Sequence, residues 1–241
     1  AMEEPDWYDI ATPHLQSILD FQFQDHEEHV DICRMMYRMI GRLLYPAGLF
    51  DNWQVWPYLK GRAATGKSTI ITKVCKEFYE SDRVGILSST SEGVFALSAF
   101  AFKDLVIAPE LTGTCNISQA TLQGMISAEE VSVARKNETA VMARFEVPGI
   151  AAGNENLGGQ NFGDVAGALA RRFLFFLYEK KVPKARSDPK LPQKLLTELP
   201  RVLLKANRAY LEFVAEKGHL DIWNVVPRYF LDAQREFSLE S

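Results

Sequence analysis

The chain has 241 residues, of which 47% are hydrophobic and 24% charged, with a net charge of −4. That length suits one α/β core with an appended helical region, or one large domain, and the composition excludes a disordered or membrane-embedded chain. The acidic balance also argues against general electrostatic coating of nucleic acid, so any contact with DNA or RNA must come from a few local cations.

In chain order, Pro13 to Tyr45 reads as helical, with Leu15, Ile18, Leu19, Ile32, Met36, Ile40, Leu43 and Leu44 at three- and four-residue spacings, ended by Pro46-Ala47-Gly48. Val55 to Lys60 reads as a strand; Pro57 weakens that assignment, because proline lacks the N–H a ladder needs. The run Gly61-Arg62-Ala63-Ala64-Thr65-Gly66-Lys67-Ser68 then fits the phosphate-binding pattern G-x-x-x-x-G-K-S/T at every fixed position. An amphipathic helix from Ser68 to Tyr79 follows, so the loop joins a strand to a helix as that motif requires.

Further along, Val84 to Leu87 and Leu105 to Ala108 are predicted strands, with a helix from about Glu92 to Phe100 between them and another from Ile117 to Ile126. Val131 to Arg135 and Ala140 to Glu146 flank the polar turn Lys136-Asn137-Glu138-Thr139 as a hairpin. Gly149 to Ala152 is a strand, and a Gly- and Asn-rich loop follows it to Gly163. A short helix to Arg171 then leads into the apolar strand Phe173 to Tyr178. Lys180 to Pro192 reads as a linker, and Leu191 to Ala215 as a helix interrupted at Pro200 that forms a separate helical unit beside the sheet. The expected fold is therefore α/β, a P-loop NTPase with a mainly parallel sheet and helices on both faces. Its parts are a helical segment 1–50, a core 51–182 and a helical segment 183–241.

No apolar run approaches the roughly 18 residues of a membrane span. The start, Ala1-Met2-Glu3-Glu4, is unlike a secretory signal and suggests an excised fragment. Cys33, Cys75 and Cys115 are widely spaced and form no C-x-x-C pair, as expected of buried thiols in a reducing, intracellular compartment.

The chemistry follows from the loop. Gly61 and Gly66 let the backbone curl so that N–H groups at Ala64, Thr65 and Gly66 face phosphate oxygens; Lys67 reaches the outer phosphates, Ser68 offers a hydroxyl to Mg²⁺, and Thr69 lies in the first helical turn. Glu110, just after the strand Leu105 to Ala108, stands where a triphosphatase needs an acid to hold Mg²⁺ and polarise water. Asn154, after the strand Gly149 to Ala152, can orient water or sense the γ-phosphate; asparagine is also a common turn former.

This order resembles the superfamily 3 helicases, and more narrowly the AAA+-type helicase module of primase-helicases of large DNA viruses, phages and plasmids. The residues that carry the likeness are Gly61 to Ser68, Ala108-Pro109-Glu110-Leu111, the hairpin with Arg135 and Lys136, Gly153-Asn154-Glu155-Asn156 and Gly167 to Phe173. The resemblance implies a homo-hexameric ring with ATP at subunit interfaces, forked or single-stranded DNA in the channel, Arg172 or its neighbour Arg171 as an arginine finger, and Lys136 with Arg135 as a DNA grip. It also implies replication in a viral host's cytoplasm or nucleus, with a primase on flanking sequence. Many relatives carry paired acids where this chain has Pro109-Glu110, which implies either that Glu110 serves both metal and water or that hydrolysis is slow. A protein-remodelling or loading ring ATPase shares the loop and finger. A small-molecule kinase shares the loop but needs neither Asn154 nor Arg172.

Overall fold

The computed structural model describes residues 6–88, 99–112, 117–133, 141–154 and 168–239. Five strands form one parallel sheet: β1 (Trp56–Gly61), β2 (Val84–Ile86), β3 (Leu105–Ala108), β6 (Gly149–Gly153) and β7 (Phe173–Tyr178), in the order β2-β3-β6-β1-β7. Between β3 and β6 in sequence, β4 (Glu130–Val133) and β5 (Val141–Arg144) pair antiparallel as a separate hairpin. This is the α/β architecture expected. The hairpin is also where it was predicted, although its turn, with Arg135 and Lys136, lies outside the described residues, as do Cys115 and most of the predicted helix around Glu92.

A parallel sheet must be covered on both faces, because its connections return over it. β7 shows the consequence in sequence: Phe173-Leu-Phe-Phe-Leu-Tyr178 is apolar throughout, and its side chains alternate between two cores. On one face Leu59, Ile107, Ile150, Leu174, Phe176 and Tyr178 pack under α1 (Pro13–Phe23), α2 (His29–Arg42) and the later α5 (Leu191–Lys217). On the other, Tyr58, Val106, Ala151, Phe173 and Phe175 meet α4 (Gln119–Ile126) and α6 (Arg228–Leu239), where Phe237 stacks on Phe175 at 4.4 Å. The helix after the phosphate loop, α3 (Lys67–Ile70), continues through a π-helical turn, Ile71–Cys75, and a 3-10 turn, Lys76–Phe78.

Three sequence readings change, and the strand reading around Pro57 holds. The helical stretch from Pro13 to Tyr45 is two helices, divided at Gln24 to Glu28, where Glu28 turns its carboxylate to the N–H groups of Arg228 and Tyr229. Pro200 does not interrupt α5, which runs unbroken through it; the carbonyl that loses its partner belongs to Leu196, on an exposed part of the helix where water can satisfy it. Nor is α5 a separate unit: Leu195, Val202, Ala206 and Tyr210 belong to the same core as α2 and the sheet. Pro57 lies inside β1, yet the paired register with β6 begins only at Tyr58, leaving one flank of Pro57 outside the ladder. Helix α6, which lies within the segment 183–241 read as helical, closes the second face.

A buried ion pair fixes the entry to β1. Arg42, at the end of α2, donates two bonds to Asp51 (2.8 and 2.9 Å) and two more to the carbonyls of Trp53 and Val55, while Asp51 also accepts from the Tyr210 hydroxyl and the Trp53 N–H. Burial by itself would raise the Asp51 carboxyl, but the Arg42 bonds and charge hold it below the usual carboxylate range. Because both groups of the pair are buried, removing one partner strands a charge. Asp51→Ala should lower stability by about 3–5 kcal/mol in denaturant unfolding, whereas the double change Arg42→Met with Asp51→Leu should cost markedly less.

Candidate functional site

The phosphate-loop pattern lies at the carboxyl end of β1, and its shape follows from close packing. Gly61 has φ +148°, and a Cβ there would sit 2.0 Å from the Tyr178 carbonyl oxygen, so only glycine lets β1 turn this close to β7. Ala64 and Gly66 also have positive φ, 60° and 97°, and Ile18 of α1 packs within 3.1 Å of where a Gly66 Cβ would be.

Hydrogen bonds hold the loop's carbonyls. Thr65 Oγ1 donates to the Arg62 carbonyl (2.9 Å), the Val182 N–H to that of Ala64 (2.9 Å), and the Gln22 amide to that of Thr65 (3.0 Å). Lys67, 5% exposed, donates to the carbonyls of Gly61 (2.6 Å) and Arg62 (2.5 Å) and to Thr65 Oγ1 (3.3 Å). Its ammonium thus rests on neutral oxygens, and among the described residues no ion pair is formed with it. Burial pushes its pKa down, and the charge of Glu110 acts against that fall. Ser68 is exposed and Thr69 half-buried at the start of α3, whose first turn has no side-chain cap on its N–H groups.

Sheet order brings the other candidates to this end. β6 lies between β1 and β3, with Lys60 in register with Gly153 and Ala108 with Ala151. Exposed Asn154 therefore leaves the sheet beside the loop, and exposed Glu110 leaves it one strand further, both at the carboxyl edge. Among the described residues no group of three or more His, Cys, Asp or Glu could hold a metal by itself. Ser68 and Glu110 are two protein oxygens, a set that suits Mg²⁺ only when phosphate and water complete the shell.

Arg172 is elsewhere. It precedes β7, whose first residue pairs with Trp56, so it stands at the opposite edge of the sheet, roughly 16 Å along β1 from Gly61. Its guanidinium donates to Gln54 Oε1 and lies 3.7 Å from the Glu129 carboxylate, while Nε is buried without a partner among the described residues. Burial lowers its pKa, as does the charge of Arg171, and Glu129 opposes the shift. Both arginines line a groove of 460 Å³ with Asn52, Gln54, His219 and Asp221.

Motif reading missed Gln22, Gln54 and Glu129. Gln22 had a signal: it is the one polar residue in the buried stripe Leu15, Ile18, Leu19, Gln22, Phe23. Gln54 and Glu129 had none, since only the fold sets them beside Arg172.

Residues 59–172 match a protein family described as a family of unknown function (DUF5906), somewhat under half of the chain. No curated protein matches significantly. Apo structures of the NrS-1 C-terminal region are similar in fold at TM-scores of 0.56, 0.58 and 0.54 and sequence identities of 13%, 15% and 14%. They cover 95%, 95% and 94% of this chain, which spans 50%, 51% and 62% of theirs. At these identities the likeness concerns the fold alone. No helix among the described residues is long and apolar enough to cross a membrane.

Two substitutions in the loop should differ in their effect on stability. Gly61→Ala drives a methyl into the Tyr178 carbonyl and should cost about 1–3 kcal/mol in thermal or denaturant unfolding. Ala64→Gly relieves a left-handed alanine and should leave stability unchanged or slightly raised.

Proposed function

We propose that the chain is the ATP-hydrolysing motor of a DNA translocase or helicase, working as a ring with nucleotide held between subunits. One observation carries this reading: the loop with Lys67, Glu110 and Asn154 share one edge of the sheet, while the half-buried arginine at position 172 lies at the other. Residues 51–182 would be the motor, with the helical segments 1–50 and 183–241 packed around it.

The residues fit a magnesium-bound triphosphate. Lys67 is a buried cation that, among the described residues, meets only neutral oxygens, and the first turn of α3 has uncapped N–H groups. Bound ATP with Mg²⁺ supplies the phosphoryl bond to be broken and the charge to be neutralised. Gly61, Ala64, Thr65, Gly66, Ser68 and Thr69 bind and orient the phosphates. Lys67 trades its carbonyl contacts for phosphate oxygens. Glu110 acts as general base toward a water molecule that Asn154 orients, and Ser68 and Glu110 lend oxygens to the metal.

An arginine a whole strand length from its own loop cannot reach its own nucleotide without unfolding the sheet. A neighbouring subunit is the reachable target, and an incoming anionic oxygen would satisfy the Nε that has no partner among the described residues. Hydrolysis then requires assembly. Arg135 and Lys136 would concentrate positive charge when repeated around a channel, giving single-stranded or forked DNA a local grip on an acidic protein.

Mixing subunits tests the central claim. Lys67→Ala should abolish hydrolysis, and Arg172→Ala should reduce it about 10³-fold while nucleotide still binds. Mixed together, the two variants should recover part of the lost activity, because some interfaces combine an intact loop with an intact finger. A mixture as inactive as its parts rejects the shared site. For the nucleic-acid role, Lys136→Ala should keep basal hydrolysis and lose its stimulation by single-stranded DNA. Failure of the unaltered protein to displace a strand from a forked duplex, despite active hydrolysis, would favour a ring ATPase that remodels or loads protein.

A further inference from the structure

Gln22 plays no part in the scheme above, yet the residue is only 6% exposed and its side-chain amide ties three segments together. Nε2 donates to the Thr65 carbonyl (3.0 Å) and the Lys180 carbonyl (2.7 Å), and Oε1 accepts from the Lys180 N–H (3.0 Å). One glutamine on α1 thereby joins the phosphate loop to the exit of β7. Lys180 is fastened a second time, its ammonium meeting Asp25 at 2.6 Å.

The direction of these bonds matters more than their number. In a planar trans peptide the N–H points opposite to the carbonyl of the preceding residue. Holding the Thr65 carbonyl toward α1 therefore turns the Gly66 N–H away from α1, toward the inside of the loop. Val182 acts in the same way one peptide earlier: its N–H takes the Ala64 carbonyl at 2.9 Å, which turns the Thr65 N–H inward. Both peptides lie in the stretch where Ala64 and Gly66 hold φ of 60° and 97°, and for alanine such a backbone persists only where its surroundings enforce it.

We propose that Gln22 is a positioning residue that sets the loop's affinity for phosphate from behind, without touching the ligand. The N-terminal helix α1 is then part of the nucleotide site, and a displacement of α1 would release the Gly66 N–H from its inward orientation. This rests on the nucleotide-binding reading of the loop.

The test is a titration of the full chain with a fluorescent ATP analogue and Mg²⁺, alongside thermal unfolding and steady-state hydrolysis. Gln22→Met keeps the length and volume of the side chain and deletes its hydrogen bonds. It should still unfold cooperatively, at a lower melting temperature because three hydrogen bonds are lost, while the Kd for the analogue rises about tenfold. KM should rise with it, and kcat at saturation should change little. Val182→Pro removes the neighbouring donor from a different segment and should raise Kd in the same direction, so the idea stays testable if Gln22→Met folds poorly. Unchanged affinity in a folded Gln22→Met, or a lowered melting temperature with an unchanged Kd, overturns the proposal. If the unaltered protein and Lys67→Ala bind the analogue equally weakly, the nucleotide reading itself fails. Lys67→Ala losing affinity while Gln22→Met and Val182→Pro do not would remove only the role given to Gln22.

Discussion

The central placement of β1 governs the rest of this structure. It is paired with β6 on one flank and β7 on the other, and it ends at a glycine pressed against the Tyr178 carbonyl. A strand held on both sides cannot slip without exposing both cores, because a one-residue shift would turn every buried side chain to the wrong face. The loop leaving such a strand inherits a fixed origin and direction.

Around that origin the fold distributes polar groups in a consistent way. The carbonyls at residues 61, 62, 64 and 65 are all taken: by Lys67, by Thr65 itself, by Val182 and by Gln22. For the peptides that follow Ala64 and Thr65, a carbonyl held on one side leaves the N–H on the other side free for an anion. The same helix α1 that supplies Gln22 also packs Ile18 behind Gly66, and α2 beside it carries the Arg42 pair that fixes the entry to β1. The N-terminal helices therefore serve both the core and the geometry of the loop, and no single contact performs either task alone.

The two edges of the sheet are chemically different. At the carboxyl edge stand a buried lysine, an acid and an amide; at the amino edge stands an arginine held by Gln54 and Glu129, with Nε still unpartnered among the described residues. Parallel strands put all of their carboxyl ends on one side, so residues at strand ends gather there whatever their separation in sequence. The same rule keeps a residue that precedes a strand away from them.

Much of this was legible from residues alone. The loop is a local pattern, and an apolar run such as Phe173 to Tyr178 predicts a buried parallel strand because nothing polar is offered to solvent. Placing Glu110 and Asn154 after strands was likewise a local inference. The errors were failures of context: Pro200 looked like an interruption of the helix because its backbone effect is local, while the packing of α5 against α2 that overrides it is not. What only tertiary structure decided is adjacency. Strand order set Asn154 between the loop and Glu110, folding joined Gln22 to a carbonyl 43 residues away, and it carried Arg172 to the far edge. Hydrogen bonds and sheet register act over a few ångströms of space, and distance along the chain does not record them.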